Sequence, residues 1–164
     1  MVDEVRVRRL APDDWQLWRD VRLESLADAP YAYGSTLDRE RRFDESDWRG
    51  RLSGGNGVVA VAIIGQEPAG AMGVYPPAGE GWAMLVAAWV RPTARGRGVG
   101  DALVAELLDW SRESGYPELE LRVADGNDPA RKLFLRNGFL PTGEHEPLES
   151  DPTVDTERLV YKLG

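Results

Sequence analysis

The chain has 164 residues, no cysteine, one histidine and a net charge of −8 from 28 acidic and 20 basic side chains. That length suits one domain spanning 1–164 with a full core. The lack of cysteine excludes disulfides and thiolate metal sites, and a lone His145 excludes a histidine-rich one, so no metal is expected. The acidic balance argues against nucleic acid and is compatible with a cationic acceptor or with plain solubility.

Val5 and Val7 alternate with Arg6 and Arg8 and predict a first strand. Pro12-Asp13-Asp14 opens a helix whose apolar stripe, Trp15, Trp18, Val21 and Leu26, runs out near Ala29-Pro30. Residues 31–56 are the least regular and hold one or two short helices between Leu37 and Trp48. Residues 58–64 are a buried strand, Gly65-Gln66-Glu67 a turn, and residues 68–75 its hairpin partner. After Pro76-Pro77-Ala78-Gly79, residues 81–90 form a strand that enters the stretch Arg95-Gly96-Arg97-Gly98-Val99-Gly100. A helix over 98–114 stops at Gly115, and a strand follows over 119–123. The next helix, 128–137, has Asn127 or Asp128 as N-cap, Pro129 in its first turn and Gly138 at its C-terminus. A strand over 139–143, a long polar connection over 144–155 and a last strand over 156–163 complete the chain. Helices alternating with strands in the second half demand a parallel pair, and the hairpins demand antiparallel ones. The expected fold is therefore α/β, with a twisted mixed α+β sheet and helices on both faces.

The glycine-rich stretch carries the chemistry. A strand feeding glycines at a helix N-terminus presents unpaired backbone N–H groups and the positive end of the helix dipole, which together suit phosphate. Glycine lets a phosphate approach without a Cβ in the way, and Arg91, Arg95 and Arg97 add charge. A P-loop would need Lys-Ser/Thr where Gly100-Asp101 stands, and a dinucleotide fingerprint would need a third glycine where Asp101 stands. What remains is Arg-x-x-Gly-x-Gly after a strand ending Val90-Arg91-Pro92. That pattern resembles the acyl-CoA-binding segment of the GNAT family of N-acetyltransferases. Residues 127–139 resemble the same family's Asn-x-x-Ala-x-x-Leu-Tyr-x-x-x-Gly-Phe segment.

The resemblance implies an acetyl-CoA-dependent N-acetyltransferase, with acetyl-CoA as co-substrate and an amine as acceptor. Ala88, Trp89, Val90, Arg95, Gly96, Arg97, Gly98, Val99, Gly100 and Asp101 would bind the cofactor on one side, and Asn127, Ala130 and Phe134 on the other. A backbone amide in the stretch Ala88 to Val90 would polarise the thioester carbonyl, giving Trp89 and Val90 a catalytic place; the Trp89 side chain would face the pantetheine or the acceptor. Phe134 stands where many members have a tyrosine that protonates the departing thiolate. A thiol of pKa ~8.5 leaves tolerably as thiolate, so an active enzyme is favoured, and an acyl-CoA-binding sensor or scaffold is the alternative. A nucleotide-binding regulator that uses the same glycine loop is a weaker third.

The family's usual strand glutamate is absent between Gly81 and Val90. Glu80, in the preceding turn, and His145, whose ordinary pKa suits a base, are the candidates, though each also reads as an exposed loop residue. Tyr31 and Tyr33, with Ser35 and Thr36, would line the acceptor site. Glu144, Glu146, Glu149, Asp151 and Asp155 would overhang it without one Lys or Arg between 144 and 155, as for a polycation or as a solvated loop. No run is apolar enough for a membrane span, and Asp3, Glu4 and the early arginines do not suit a secretory signal, so a cytoplasmic protein is expected. Arginine replaces lysine almost throughout, as in chains from GC-rich, bacterial-like genomes. Dimers are common in the family, which makes a homodimer an expectation by resemblance.

Overall fold

Two sets of apolar residues, facing opposite sides of one sheet, organise the molecule. The computed structural model describes residues 4–29, 35–53, 55, 57–77, 81–149 and 151–164. The sheet has seven strands: β1 (Val5–Arg9), β2 (Val58–Ile64), β3 (Glu67–Tyr75), β4 (Ala83–Val90), β5 (Glu118–Ala124), β6 (Leu140–Leu148) and β7 (Asp151–Lys162), in spatial order β1-β2-β3-β4-β5-β7-β6. Every neighbouring pair is antiparallel except β4 with β5. That pair is joined through α4 (Val99–Glu113), the crossover that a parallel connection requires.

Side chains alternate across the sheet. Ala60, Met72, Leu85, Leu119, Leu121 and Leu159 face α4 and α5 (Asp128–Arg136). On α4, Val99, Leu103, Leu107 and Ser111 recur every four residues, so one helix face is buried. On the other side of the sheet, Val59, Val61 and Ala71 face α1 (Trp15–Asp28), α2 (Leu37–Arg41) and α3 (Glu45–Arg51), packing with Trp18, Val21, Leu26 and Trp48. Asp44 caps α3 reciprocally with Asp47, each side chain accepting from the other's amide.

Two departures from regularity place the site. The first is a bulge in β4. Trp89 pairs with Ala71 and Val86 with Gly73, so Ala87 and Ala88 together oppose Met72. Ala87 has φ +59°, the one positive φ outside glycine among the described residues. The extra residue reverses the alternation. Without it Trp89 would share the face of Leu85; with it Trp89 joins the α1 side, while Ala88 and Val90 turn to the α4 side. The second departure is the short contact between β4 and β5. They pair only at Ala83–Leu119 and Met84–Glu120, beyond which they separate into a wedge.

The stretch 144–155 is a correction. It is not a connection but most of a hairpin, with β6 reaching Leu148 and β7 beginning at Asp151. The single-residue turn signals there gave way to pairing with a long neighbour: His145 opposite Glu157 and Glu146 opposite Thr156. Pro141 and Pro147 are tolerated because β6 is the edge strand, with almost every residue exposed.

Candidate functional site: two clefts that meet at the β4 bulge

The first cleft, about 590 Å³, lies on the α4 side between the end of β4 and the N-terminal half of α5. The loop after β4 and the start of α4 form one wall. Gly96 and Gly98 have φ +77° and +80°, the left-handed region that glycine enters at least cost, and a Cβ on either would meet nothing. These glycines are needed for backbone shape, and the space above them is open. The first helical bond runs from the Ala102 amide to Gly98 O. The amides of Gly98, Val99 and Gly100 therefore have no acceptor within the helix. Gly100 has a different reason to lack a side chain: a Cβ would lie 2.8 Å from Leu133 of α5.

Arg95 lines this cleft and donates from Nε to Val90 O at 3.2 Å. The Arg91 amide donates to Ala69 O at 2.8 Å, so the next pair along, Val90 and Gly70, turns its backbone groups outward. The Val90 amide therefore faces the wedge. Asp101 bridges to α5, accepting from Arg136 Nε and Nη2 at 2.9 and 2.8 Å and from Asn137 Nδ2 at 2.8 Å. The Arg136 hydrogen bonds hold its carboxyl below the usual aspartate range. Asn127, Ala130 and Phe134 line the opposite wall. Asn127 occupies the N-cap position of α5 without spending its side chain on a cap hydrogen bond. Phe134 is buried edge-on against Phe139, with ring centres 5.6 Å apart.

The second cleft, about 830 Å³, lies on the other face, between the α1–α3 layer and the β6–β7 hairpin. Val59, Gly73 and Val86 are part of its floor, and Arg22 and Arg51 stand in one wall. Behind them is Glu40, fully buried, whose two oxygens accept from Arg22 Nε and Nη2 at 2.9 and 3.0 Å; Arg51 Nη1 adds a bond of 2.8 Å to Oε1. Burial alone would push the Glu40 carboxyl up, but the hydrogen bonds and charge of Arg22, with the charge of Arg51, outweigh it and hold it below its ordinary value. Arg122, Glu146 and Glu149 line the opposite side, where Arg122 pairs with Glu146 at 2.7 Å. Ala87 belongs to this cleft and Ala88 to the first, so consecutive residues of the bulge bring the two together.

A family model described as the acetyltransferase (GNAT) family matches residues 17–139, three quarters of the chain and all the residues that line the first cleft. The chain belongs to the GNAT acetyltransferase family. An uncharacterized N-acetyltransferase of Schizosaccharomyces pombe is 34% identical over 98 residues, covering 59% of this chain and 58% of that protein. N-acetyltransferase 8B of Rattus norvegicus is 32% identical over 91 residues, covering 53% and 41%. The match thus spans about half the length of these curated relatives. The fold is shared more widely. A GNAT acetyltransferase from Streptococcus pneumoniae superposes with a TM-score of 0.82 at 19% identity, over 98% of this chain and 100% of that one. A putative acetyltransferase of Salmonella typhimurium, solved with acetyl-CoA, gives 0.78 at 17% identity over 98% and 95%.

Within this GNAT fold, Ala88, Trp89, Val90, Arg95, Gly96, Gly98, Val99, Gly100, Asp101, Asn127, Ala130 and Phe134 all line the first cleft. Arg97 is exposed beside it and makes no hydrogen bond or ion pair among the described residues. Three expectations need correction. Arg91 does not serve the loop: Glu24 of α1 takes both its Nε and Nη2, at 2.8 and 2.7 Å. The Trp89 indole is packed into the core rather than presented to a ligand. The bulge turns it into the α1-side core, where Nε1 donates to Asp28 at 3.0 Å, which leaves its backbone as its contribution to the cleft. His145 is in a strand rather than a loop, and on the wrong face. Its neighbour Glu146 lines the second cleft, so alternation sends His145 to the opposite side, where Nδ1 lies 3.0 Å from Asp155 Oδ2. Asp125 joins them, the three candidate ligand atoms lying within 4.8 Å of one another.

Tyr31, Tyr33 and Glu80 lie outside the described residues. Of the acidic run, Glu146 and Glu149 line the second cleft, whereas Glu144 pairs with Arg158 at 3.0 Å and Asp151 with Thr153. The Arg22–Glu40–Arg51 group was missed from sequence. Its members are 18 and 11 residues apart and share no local pattern. Among the described residues no helix is long and apolar enough to cross a membrane.

Proposed function

We propose that this chain transfers an acetyl group from acetyl-CoA to a primary amine of a small molecule or peptide, by direct attack of the amine on the thioester. The observation that carries this reading is the meeting of the two clefts at Ala87–Ala88. A thioester in the first cleft and an amine in the second would approach each other there.

The chain's own groups then divide the work. The amides at the start of α4 hold the anionic end of the cofactor, and Asn127 offers an amide side chain to its arm. Backbone N–H groups between Ala88 and Val90, among them the wedge-facing Val90 amide, polarise the thioester carbonyl and stabilise the oxyanion as the C–N bond forms. The tetrahedral intermediate collapses by breaking the C–S bond. The sulfur leaves with the electron pair, and the proton lost by the attacking nitrogen restores the thiol through solvent. The chain has no cysteine to form a thiol acyl-enzyme.

One observation favours a second reading, an acyl-CoA-binding sensor or scaffold: Phe134 has no proton to donate. CoA thiol release from acetyl-CoA against pooled polyamines, aminoglycosides, amino acids and peptides separates the two. Release above the amine-free background is expected, and Gly98→Asp, strained at φ +80° and acidic beside the phosphates, should abolish CoA binding. Tight acetyl-CoA binding with silence in every pool would favour the sensor; retained affinity in Gly98→Asp would overturn the loop assignment.

A further inference from the structure

The second cleft has a wall built to receive an anion, although the reaction itself asks only for an amine. Glu40 is fully buried and shared by two guanidinium groups. Arg22 uses two nitrogens on it and is itself buried, its side chain 8% exposed. Arg51 is the second claimant. It spends only Nη1 on Glu40 and remains 35% exposed at the cleft. Its Nε and Nη2 make no hydrogen bond among the described residues. The group is nonetheless held in place, with its guanidinium carbon 4.7 Å from the ring centre of Phe43 and 5.3 Å from that of Trp48.

The acidic groups along the same cleft do not compete for it. Asp47, one turn back on α3, accepts from the Asp44 amide and forms no ion pair with Arg51. Glu146 is taken by Arg122 at 2.7 Å. Glu149 stands on the hairpin wall and has no ion pair among the described residues. The α1–α3 wall thus offers one guanidinium edge, that of Arg51, across an apolar floor from the unpaired Glu149 of the hairpin side. A rigid guanidinium edge fits the two oxygens of a carboxylate.

We infer that the acceptor is an amine that also carries a carboxylate, an amino acid or a close relative, with the carboxylate on Arg51 and the amine at the bulge. This rests on the acetyltransferase reading and narrows its substrate to a zwitterion.

Matched acceptors test it: phenylalanine against phenethylamine, tryptophan against tryptamine, lysine against cadaverine. The carboxylated member of each pair should have the higher kcat/KM, by about tenfold to a hundredfold for one charge-assisted contact. In Arg51→Met that ratio should fall toward one, and Arg51→Lys, which keeps the charge but not the fork, should fall in between. Thermal melts and CoA affinity report whether each variant is folded, and Arg51→Lys alone suffices if Arg51→Met is not. A binding readout separates this idea from its parent. Calorimetry should find N-acetylphenylalanine binding more tightly than N-acetylphenethylamine in the wild type, with the difference lost in the variants, even if no acceptor turned over. Equal or better kcat/KM for the decarboxylated amines, or a ratio unmoved by either substitution, overturns it.

Discussion

Phe134 and His145 are the residues at which the proposed proton path is tested. Phe134 lines the cofactor cleft and has no ionisable group, and no tyrosine, histidine or cysteine lines that cleft among the described residues. If the thiolate leaves unassisted, a new acid there has nothing to supply. Phe134→Tyr should change kcat by no more than about threefold, against the hundredfold or more that a positioned general acid contributes, and should leave the pH–rate profile unmoved. A large gain in kcat with a new limb at high pH would show that an acid was missing. His145 faces Asp155 on the far side of the sheet from the acceptor cleft. His145→Ala should keep kcat/KM within about twofold. A loss of about a hundredfold or more, as for a positioned acid or base, would return His145 to the chemistry. The amine's own ionisation should then govern the profile, with rate rising as pH approaches the acceptor's pKa.

At the scale of elements, the β4 bulge does three things with one inserted residue. It interrupts the β4 ladder beside the short β4–β5 contact, it turns Ala88 and Val90 to the α4 side, and it turns the Trp89 side chain to the α1 side. Its cost is concentrated at Ala87, an alanine in the left-handed region, worth about 1 kcal/mol or more. Ala87→Gly removes that strain but adds freedom to the unfolded chain, so stability should shift by less than about 1 kcal/mol. Ala87→Val, β-branched at φ +59°, should destabilise by about 1–3 kcal/mol and lower kcat more than CoA affinity, because the glycine loop is untouched. Denaturant melts and a comparison of CoA binding with turnover check both. Unchanged stability and turnover in Ala87→Val would mean that the bulge is not held in this conformation. The hairpin is the other instructive element. Residues 144–155 show neither apolar alternation nor a compact turn dipeptide, so nothing local announces a strand. They become one because β7 continues past β5 and offers β6 an open ladder.

Across the whole molecule, Glu40 ties together α1, α2 and α3, the layer that walls the second cleft. Removing one partner of a buried ionic group leaves the others uncompensated, so Glu40→Gln should cost about 3 kcal/mol or more in unfolding free energy. Its folded pKa lies below its unfolded value. The ionised carboxylate therefore contributes stability that is fully present above the unfolded pKa of ~4.3 and is lost as pH falls through the lowered folded value. The gap in urea midpoint between wild type and Glu40→Gln should be widest near pH 6 and should narrow below about pH 4. A gap independent of pH would mean that Glu40 stabilises by packing alone. The same layer would register acceptor binding, since Arg51 joins the carboxylate anchor to the cleft.

The sequence by itself determined the local parts: the glycines whose φ the loop requires, the helix after β5 with Pro129 in its first turn and Gly138 at its end, the helix that follows the glycine loop, and the alternation of strands and helices that demands a mixed sheet. Each is written within a few residues, so steric preference and hydrophobic period suffice to read it. The tertiary structure alone decided which face each β4 side chain takes, where Arg91 spends its charge, that the acidic run is a hairpin, and that Arg22 and Arg51 meet over Glu40. These depend on one inserted residue and on contacts between segments far apart in the chain, where register and charge pairing are set by neighbours that local sequence does not name.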